Sequence, residues 1–171
     1  MERGTLGWML AQEDIEDVIY AARTGDLEDL QALLAKLHGA SKDLLACVDN
    51  GNTPLHMAGA NGLHACVLFL VHQLQPLGEA GVQFVNTQNG SGNTALHWAC
   101  LNGHLDVVKT LVSEARADPF LNNAAGLDAL YEAEANDKKE VVEWLLANVD
   151  YTQSLGEEAG AADGLADGQQ D

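Results

Sequence analysis

Residues Gly92-Asn93-Thr94-Ala95-Leu96-His97-Trp98-Ala99-Cys100-Leu101-Asn102-Gly103 decide the fold, because they recur as Gly51-Asn52-Thr53-Pro54-Leu55-His56-Met57-Ala58-Gly59-Ala60-Asn61-Gly62. The two blocks start 41 residues apart, and each leads into apolar residues at helical spacing. These are Val67, Leu68, Leu70 and Val71 in one, and Val107, Val108, Leu111 and Val112 in the other. A third block opens 34 residues later at Gly126, with Asp128-Ala129-Leu130-Tyr131-Glu132-Ala133 in the same frame and Val141, Val142, Trp144, Leu145 and Leu146 behind it. A degenerate copy comes first: Val18-Ile19-Tyr20-Ala21-Ala22-Arg23-Thr24-Gly25, followed by Leu27, Leu30, Leu33, Leu34 and Leu37. Repetition at this period marks a solenoid, in which no unit buries its own apolar face and the neighbours supply the rest.

Each position in the frame has a physical reason. Thr53 and Thr94 stand where a side chain caps a helix start, and Asp128 caps equally well in the last unit. Pro54 falls in the first turn, where its missing N–H costs nothing. Gly25, Gly62 and Gly103 close the first helix of their units, where the chain turns left-handed. Ala21, Ala58, Ala99 and Ala133 let neighbouring helices approach closely. The expectation is an all-α solenoid of four helix-turn-helix repeats with short turn fingers, spanning 14–150. An N-terminal extension at 1–13 precedes it, and an acidic tail at 151–171, rich in Gly and Ala, reads as disordered. Insertions near 75–81 and near His38-Gly39-Ala40-Ser41 are expected to lengthen the connections leaving the second helices of the first two repeats.

The net charge of −18 is unevenly spread. Residues 1–50 hold four basic and ten acidic side chains, residues 51–125 two and four, and residues 126–171 two and twelve. Acid at both ends repels nucleic acid and anionic membranes; it either attracts a basic partner or simply keeps the chain in solution. The eight basic residues are scattered, which argues against direct nucleic-acid binding. No apolar run is long enough to span a membrane, and Met1–Leu10 do not read as a secretory signal. Three cysteines without a Cys-x-x-Cys pair (Cys47, Cys66 and Cys100) fit a reducing compartment and buried packing.

No constellation in the sequence carries catalysis. His38, His64 and His72 lack metal-ligand spacing, and no metal or other cofactor is expected. Asn89-Gly90-Ser91-Gly92-Asn93-Thr94 lacks the lysine and spacing of a phosphate loop and reads as a turn. Glu132 and Glu134 lie two apart on a helix, on different faces.

Thr53-Pro54-Leu55-His56-Met57-Ala58 and Thr94-Ala95-Leu96-His97-Trp98-Ala99 resemble the ankyrin signature, and the likeness covers roughly residues 14–150. It implies that His56 and His97 hydrogen-bond backbone between neighbouring repeats, that His104 is structural, and that partners lie on a concave face of turn tips and first helices. The position between His and Ala in the frame then gives Tyr20, Met57, Trp98 and Glu132, with Tyr20, Met57 and Trp98 expected as an exposed apolar ladder. The positions ahead of the helix-closing residue add Arg23 and Thr24, Asn61, Leu101 and Asn102, and Asn136. The turn tips add Asn93 together with Asp49 and Asn50, and Glu16 and Asp17 supply acid at the N-terminal end. An apolar strip between acidic ends suits a basic amphipathic segment.

The chain is similar, more narrowly, to the small fungal ankyrin-repeat chaperones of the small-subunit ribosomal protein S-three. This likeness rests on Asp26-Leu27, the run 92–99, Leu101-Asn102-Gly103, Leu105-Asp106-Val107-Val108-Lys109, Ala117-Asp118-Pro119-Phe120, Glu132-Ala133-Glu134 and the acidic tail. It implies a protein, monomeric on its own, that captures the newly made basic ribosomal protein in the cytoplasm and accompanies it to the nucleus. The alternative reading is a general adaptor in signalling or transcription.

Overall fold

The computed structural model describes residues 12–36 and 51–152, and helices dominate them. Four pairs follow the sequence frame: α1 (Gln12–Thr24) with α2 (Leu27–Lys36), α3 (Pro54–Ala60) with α4 (His64–Leu74), α6 (Ala95–Asn102) with α7 (Leu105–Ser113), and α8 (Ala129–Ala135) with α9 (Lys139–Asn148). A further helix, α5 (Glu79–Val85), lies between the second and third pairs.

Local chemistry sets the helix ends. The Thr53 and Thr94 side chains accept from the backbone N–H of His56 and His97, and each imidazole Nδ1 accepts in return from the threonine's own N–H, at 3.1 and 3.2 Å. Asp128 Oδ1 accepts from the Tyr131 N–H at 2.8 Å. At the other end one hydrogen bond recurs in all four repeats: Asp26, Leu63, His104 and Lys138 each donate N–H to the carbonyl of Ala21, Ala58, Ala99 and Ala133, at 2.9–3.1 Å. The residue before each donor is left-handed, with φ of 84°, 68° and 81° at Gly25, Gly62 and Gly103 and 56° at Asp137. The last repeat thus makes the same turn without the glycine that makes it cheap.

The first helices α1, α3, α6 and α8 stack as a row, in closer mutual contact than the second helices. Small residues permit this, since a Cβ placed on Gly59 would lie only 3.2 Å from the Ala95 carbonyl oxygen of the next repeat. The core runs continuously along the stack through Leu30, Leu70, Leu96, Leu111 and Leu145, all essentially inaccessible to solvent. Burying one such leucine contributes about 1.5–3 kcal/mol. Cys66 and Cys100 are buried in the same core.

The insertion differs from expectation. Residues 75–81 do not form an open connection: Gln75–Leu77 make a 3-10 turn, Gly78 turns the chain at φ 56°, and α5 follows, burying Gly81 and Val85. A Cβ on Gly81 would collide with the Leu74 carbonyl oxygen, so the close approach of α5 to α4 depends on that glycine. Helix α1 includes Gln12 and Glu13, and Tyr151 packs against the core and meets Phe120 edge-on with ring centroids 5.2 Å apart. The short insertion at His38–Ser41, Leu37, Cys47, the turn tip at Asp49 and Asn50, residues 1–11 and the tail beyond Thr152 lie outside the described residues.

Candidate functional site

Polar groups join each repeat to the next and thereby position the face formed by the first helices. The His56 imidazole Nε2 meets the Asn93 carbonyl at 2.9 Å, and His97 Nε2 meets the Leu127 carbonyl at 3.1 Å. His104 Nε2 reaches the Ala60 carbonyl at 3.0 Å. Burial is the main cause that pushes both His56 and His97 below the ordinary imidazole value of 6.5. In the turn fingers Asn89 Nδ2 donates to Asn52 Oδ1 at 2.7 Å, and Asn123 Nδ2 donates to Asn93 Oδ1 at 2.9 Å. The two asparagines' own oxygens accept from backbone N–H groups of their fingers, so each finger is rigid and tied to its predecessor.

Tyr20, Met57, Trp98 and Glu132 occupy one position of the frame on four successively packed helices. The expected exposed ladder needs correction, however. Tyr20 is 60% exposed, but Met57 and Trp98 are half-buried, and Met57 packs against the core. The approach of neighbouring first helices covers part of each side chain in the inner repeats, whereas among the described residues no helix precedes α1. Arg23 lies 5.9 Å from the Tyr20 ring centroid, a cation–π distance.

Several other positions assigned to binding also hold the stack together. Asn61 Nδ2 donates to the Arg23 carbonyl at 3.3 Å, and Asn102 Nδ2 donates to the Ala60 carbonyl at 2.9 Å, linking repeats two to one and three to two. Asn136 Nδ2 donates within its own helix to the Glu132 carbonyl, and the Thr24 hydroxyl donates to the Tyr20 carbonyl at 3.0 Å. Glu132 is half-buried, and its Oε1 accepts from Asn123 Nδ2 at 2.9 Å. Leu101 is half-buried, and Glu16 and Asp17 are exposed.

Two open grooves flank Tyr20, of about 480 and 380 Å³. Ile15 and Ile19 line one, and Ala32, Leu33 and Asp29 line the other, while Tyr20 and Asp17 belong to both. The sequence frame placed Ile19 and Leu33 on the first repeat's two helices but assigned none of Ile15, Ile19, Asp29 and Leu33 to binding.

Little here suits bond-making chemistry. Burial pushes the Cys100 thiol far above its ordinary value, so it stays protonated. Among the described residues no three His, Cys, Asp or Glu side chains are grouped to hold a metal ion, and no helix is long and apolar enough to cross a membrane.

Comparison with known proteins fits this geometry. A family model for ankyrin repeats in three copies matches residues 18–123 and 74–154. The ankyrin repeat-containing protein YAR1 of Saccharomyces cerevisiae is 41% identical over 154 residues, which is 87% of this chain and 76% of that protein. A probable E3 ubiquitin-protein ligase of Oryza sativa subsp. japonica, XBOS32, is 35% identical over 115 residues, 66% of this chain but only 21% of the ligase. Among solved structures, a chain of the crystal structure of the yeast ribosomal protein Rps3 in complex with its chaperone Yar1 superposes with a TM-score of 0.78. That match carries 42% identity and covers 83% of this chain and 97% of the other.

Proposed function

The chain belongs to the ankyrin-repeat family, and we propose that within it this protein is a dedicated chaperone of the small-subunit ribosomal protein S-three. It captures the newly made client, keeps it soluble and escorts it to ribosome assembly, working in cytoplasm and nucleus. The observation that carries this is the match to the chain seen in complex with yeast Rps3, at 42% identity over nearly all of that chain. The protein acts by holding its client and not by catalysis. The ligase-named relative matches over only about a fifth of its own length, 21%.

The physical properties support the reading. A ribosomal RNA-binding protein carries dense positive charge that aggregates with polyanions until RNA neutralises it, and a scaffold of net charge −18 masks that charge reversibly. Tyr20, Met57 and Trp98 supply apolar contact, with Glu16, Asp17 and Glu132 giving acid at the two ends of the row. Arg23, Thr24, Asn61, Asn93, Leu101, Asn102 and Asn136 complete the face, several of them holding its shape while offering a remaining polar atom to the client. Attraction between the acidic ends and a basic client speeds capture and makes binding sensitive to salt.

Co-expression provides the test. S-three produced with this chain should stay soluble after ribosome depletion, and S-three produced alone should pellet. Equal solubility in both, with this chain recovered instead on a signalling or transcription complex, would favour the adaptor reading.

A further inference from the structure

The insertion builds a pocket as well as a helix. Val71 and Leu74 of α4, Val82 and Val85 of α5, and Ala115 just after α7 wall a space of about 120 Å³ that opens to solvent. Val71, Leu74, Val85 and Ala115 are buried and Val82 is half-buried, so the walls are apolar. No residue of the first helices lines it, and the row of Tyr20, Met57 and Trp98 takes no part in it.

The walls are fixed before anything binds. Gly81 lies so close to the Leu74 carbonyl oxygen that no Cβ would fit between them, which sets where α5 crosses the end of α4. At the other end of α5, Asn86 Nδ2 donates to the Arg116 carbonyl at 3.4 Å, and Asn86 Oδ1 accepts from the Asp118 N–H at 2.7 Å. A pocket preformed in this way loses little on being filled. Charge marks its open side. Glu114 and Arg116 are exposed there, and the Arg116 guanidinium reaches Glu79 at 3.6 Å. Arg116 has φ of 58°, a conformation that glycine adopts more freely, so this side chain is kept at the rim against the preference of its backbone. Glu114 makes no ion pair among the described residues.

We propose that this pocket is a second anchoring site for the client, taking one aliphatic side chain of about leucine size that has a lysine or arginine beside it. The space matches such a group, since an apolar cavity of about 150 Å³ holds a benzene molecule. The accompanying cation meets Glu114. Two carboxylates around one guanidinium select a basic partner, and a second copy of this chain is disfavoured because each copy carries a net charge of −18. The site rests on the client reading given above and extends the contact from the first helices to the side of the second helices.

Isothermal titration with purified ribosomal protein S-three compares the full chain with three variants. Val82→Trp fills the pocket, Glu114→Lys reverses the rim charge, and Glu140→Lys makes the same charge change on α9, away from the pocket. Val82→Trp and Glu114→Lys should each weaken binding about tenfold with thermal unfolding unchanged, and Glu140→Lys should bind as the unaltered chain does. Client binding should also slow amide exchange in α5 by about threefold or more. Glu114→Lys no weaker than Glu140→Lys, or α5 exchange indifferent to the client, would overturn the pocket and leave the client reading standing. Failure of the unaltered chain to bind S-three would overturn both.

Discussion

Replacing His97 by leucine tests whether the buried imidazoles hold the repeats in register. His97 is 1% exposed, and its Nε2–H donates to the Leu127 carbonyl while Nδ1 accepts from the Thr94 N–H at 3.2 Å. Leucine keeps most of the volume but leaves the Leu127 carbonyl and the Thr94 N–H without that partner. Each such loss costs about 1–3 kcal/mol, so the variant should lose roughly 2–6 kcal/mol. The pH dependence should change with it. Protonation would place a hydrogen on Nδ1 facing the Thr94 N–H, and burial already lowers the pKa of both His56 and His97 from 6.5. Above 6.5 the stabilisation from neutral imidazole is complete. As pH falls through 6.5, the unfolded chain takes up protons that the folded chain refuses, so stability is lost until the folded-state values are passed. Each histidine contributes at most about 1.4 kcal/mol per pH unit in that window, and His97→Leu should retain only the His56 share. Urea unfolding followed by circular dichroism at pH 7.5 and at lower pH measures both effects. A loss under about 1 kcal/mol at pH 7.5, or a variant with the unaltered acid slope, would refute the stitching role.

Trp98→Ala should weaken client binding by about 2 kcal/mol, roughly 30-fold, while leaving helical circular dichroism intact, because the ring is only half-buried. A variant that loses helix and binding together would show that the ring serves the fold. Asp137→Gly should raise stability by about 0.5–1 kcal/mol in thermal unfolding, since φ at this residue is 56° and only glycine adopts that freely. Gly81→Ala should cost about 2 kcal/mol or more, because its Cβ meets the Leu74 carbonyl oxygen, and hydrogen exchange should localise the loosening to α5 and the end of α4.

The parts of the fold that rest on local chemistry were readable from the sequence. Thr53, Pro54, His56 and Gly62 each have one conformational use at their spacing, and their repetition at 94–103 set the frame for the whole stack. Helix α5 was not readable, because Gly78 and Gly81 look like loop formers and the helix depends on tertiary packing that buries Val85. The asparagine ties of Asn89 and Asn123 were equally hidden, since asparagine in a turn is ordinary until its neighbour one repeat away is known. For the candidate face, the frame located Tyr20, Met57 and Trp98, but their exposure depends on how closely successive first helices approach. That distance belongs to the stack and to no single repeat, which is why Tyr20 alone of the three stands out from the surface.

In the proposed role, this acidic stack holds one basic ribosomal protein. Isothermal titration of the purified chain with purified ribosomal protein S-three, at low salt and again at high salt, tests it most directly. The two proteins should form a one-to-one complex that weakens steeply as salt screens the acidic ends. Absence of binding at low salt, or an affinity indifferent to salt and to Trp98→Ala, would contradict it.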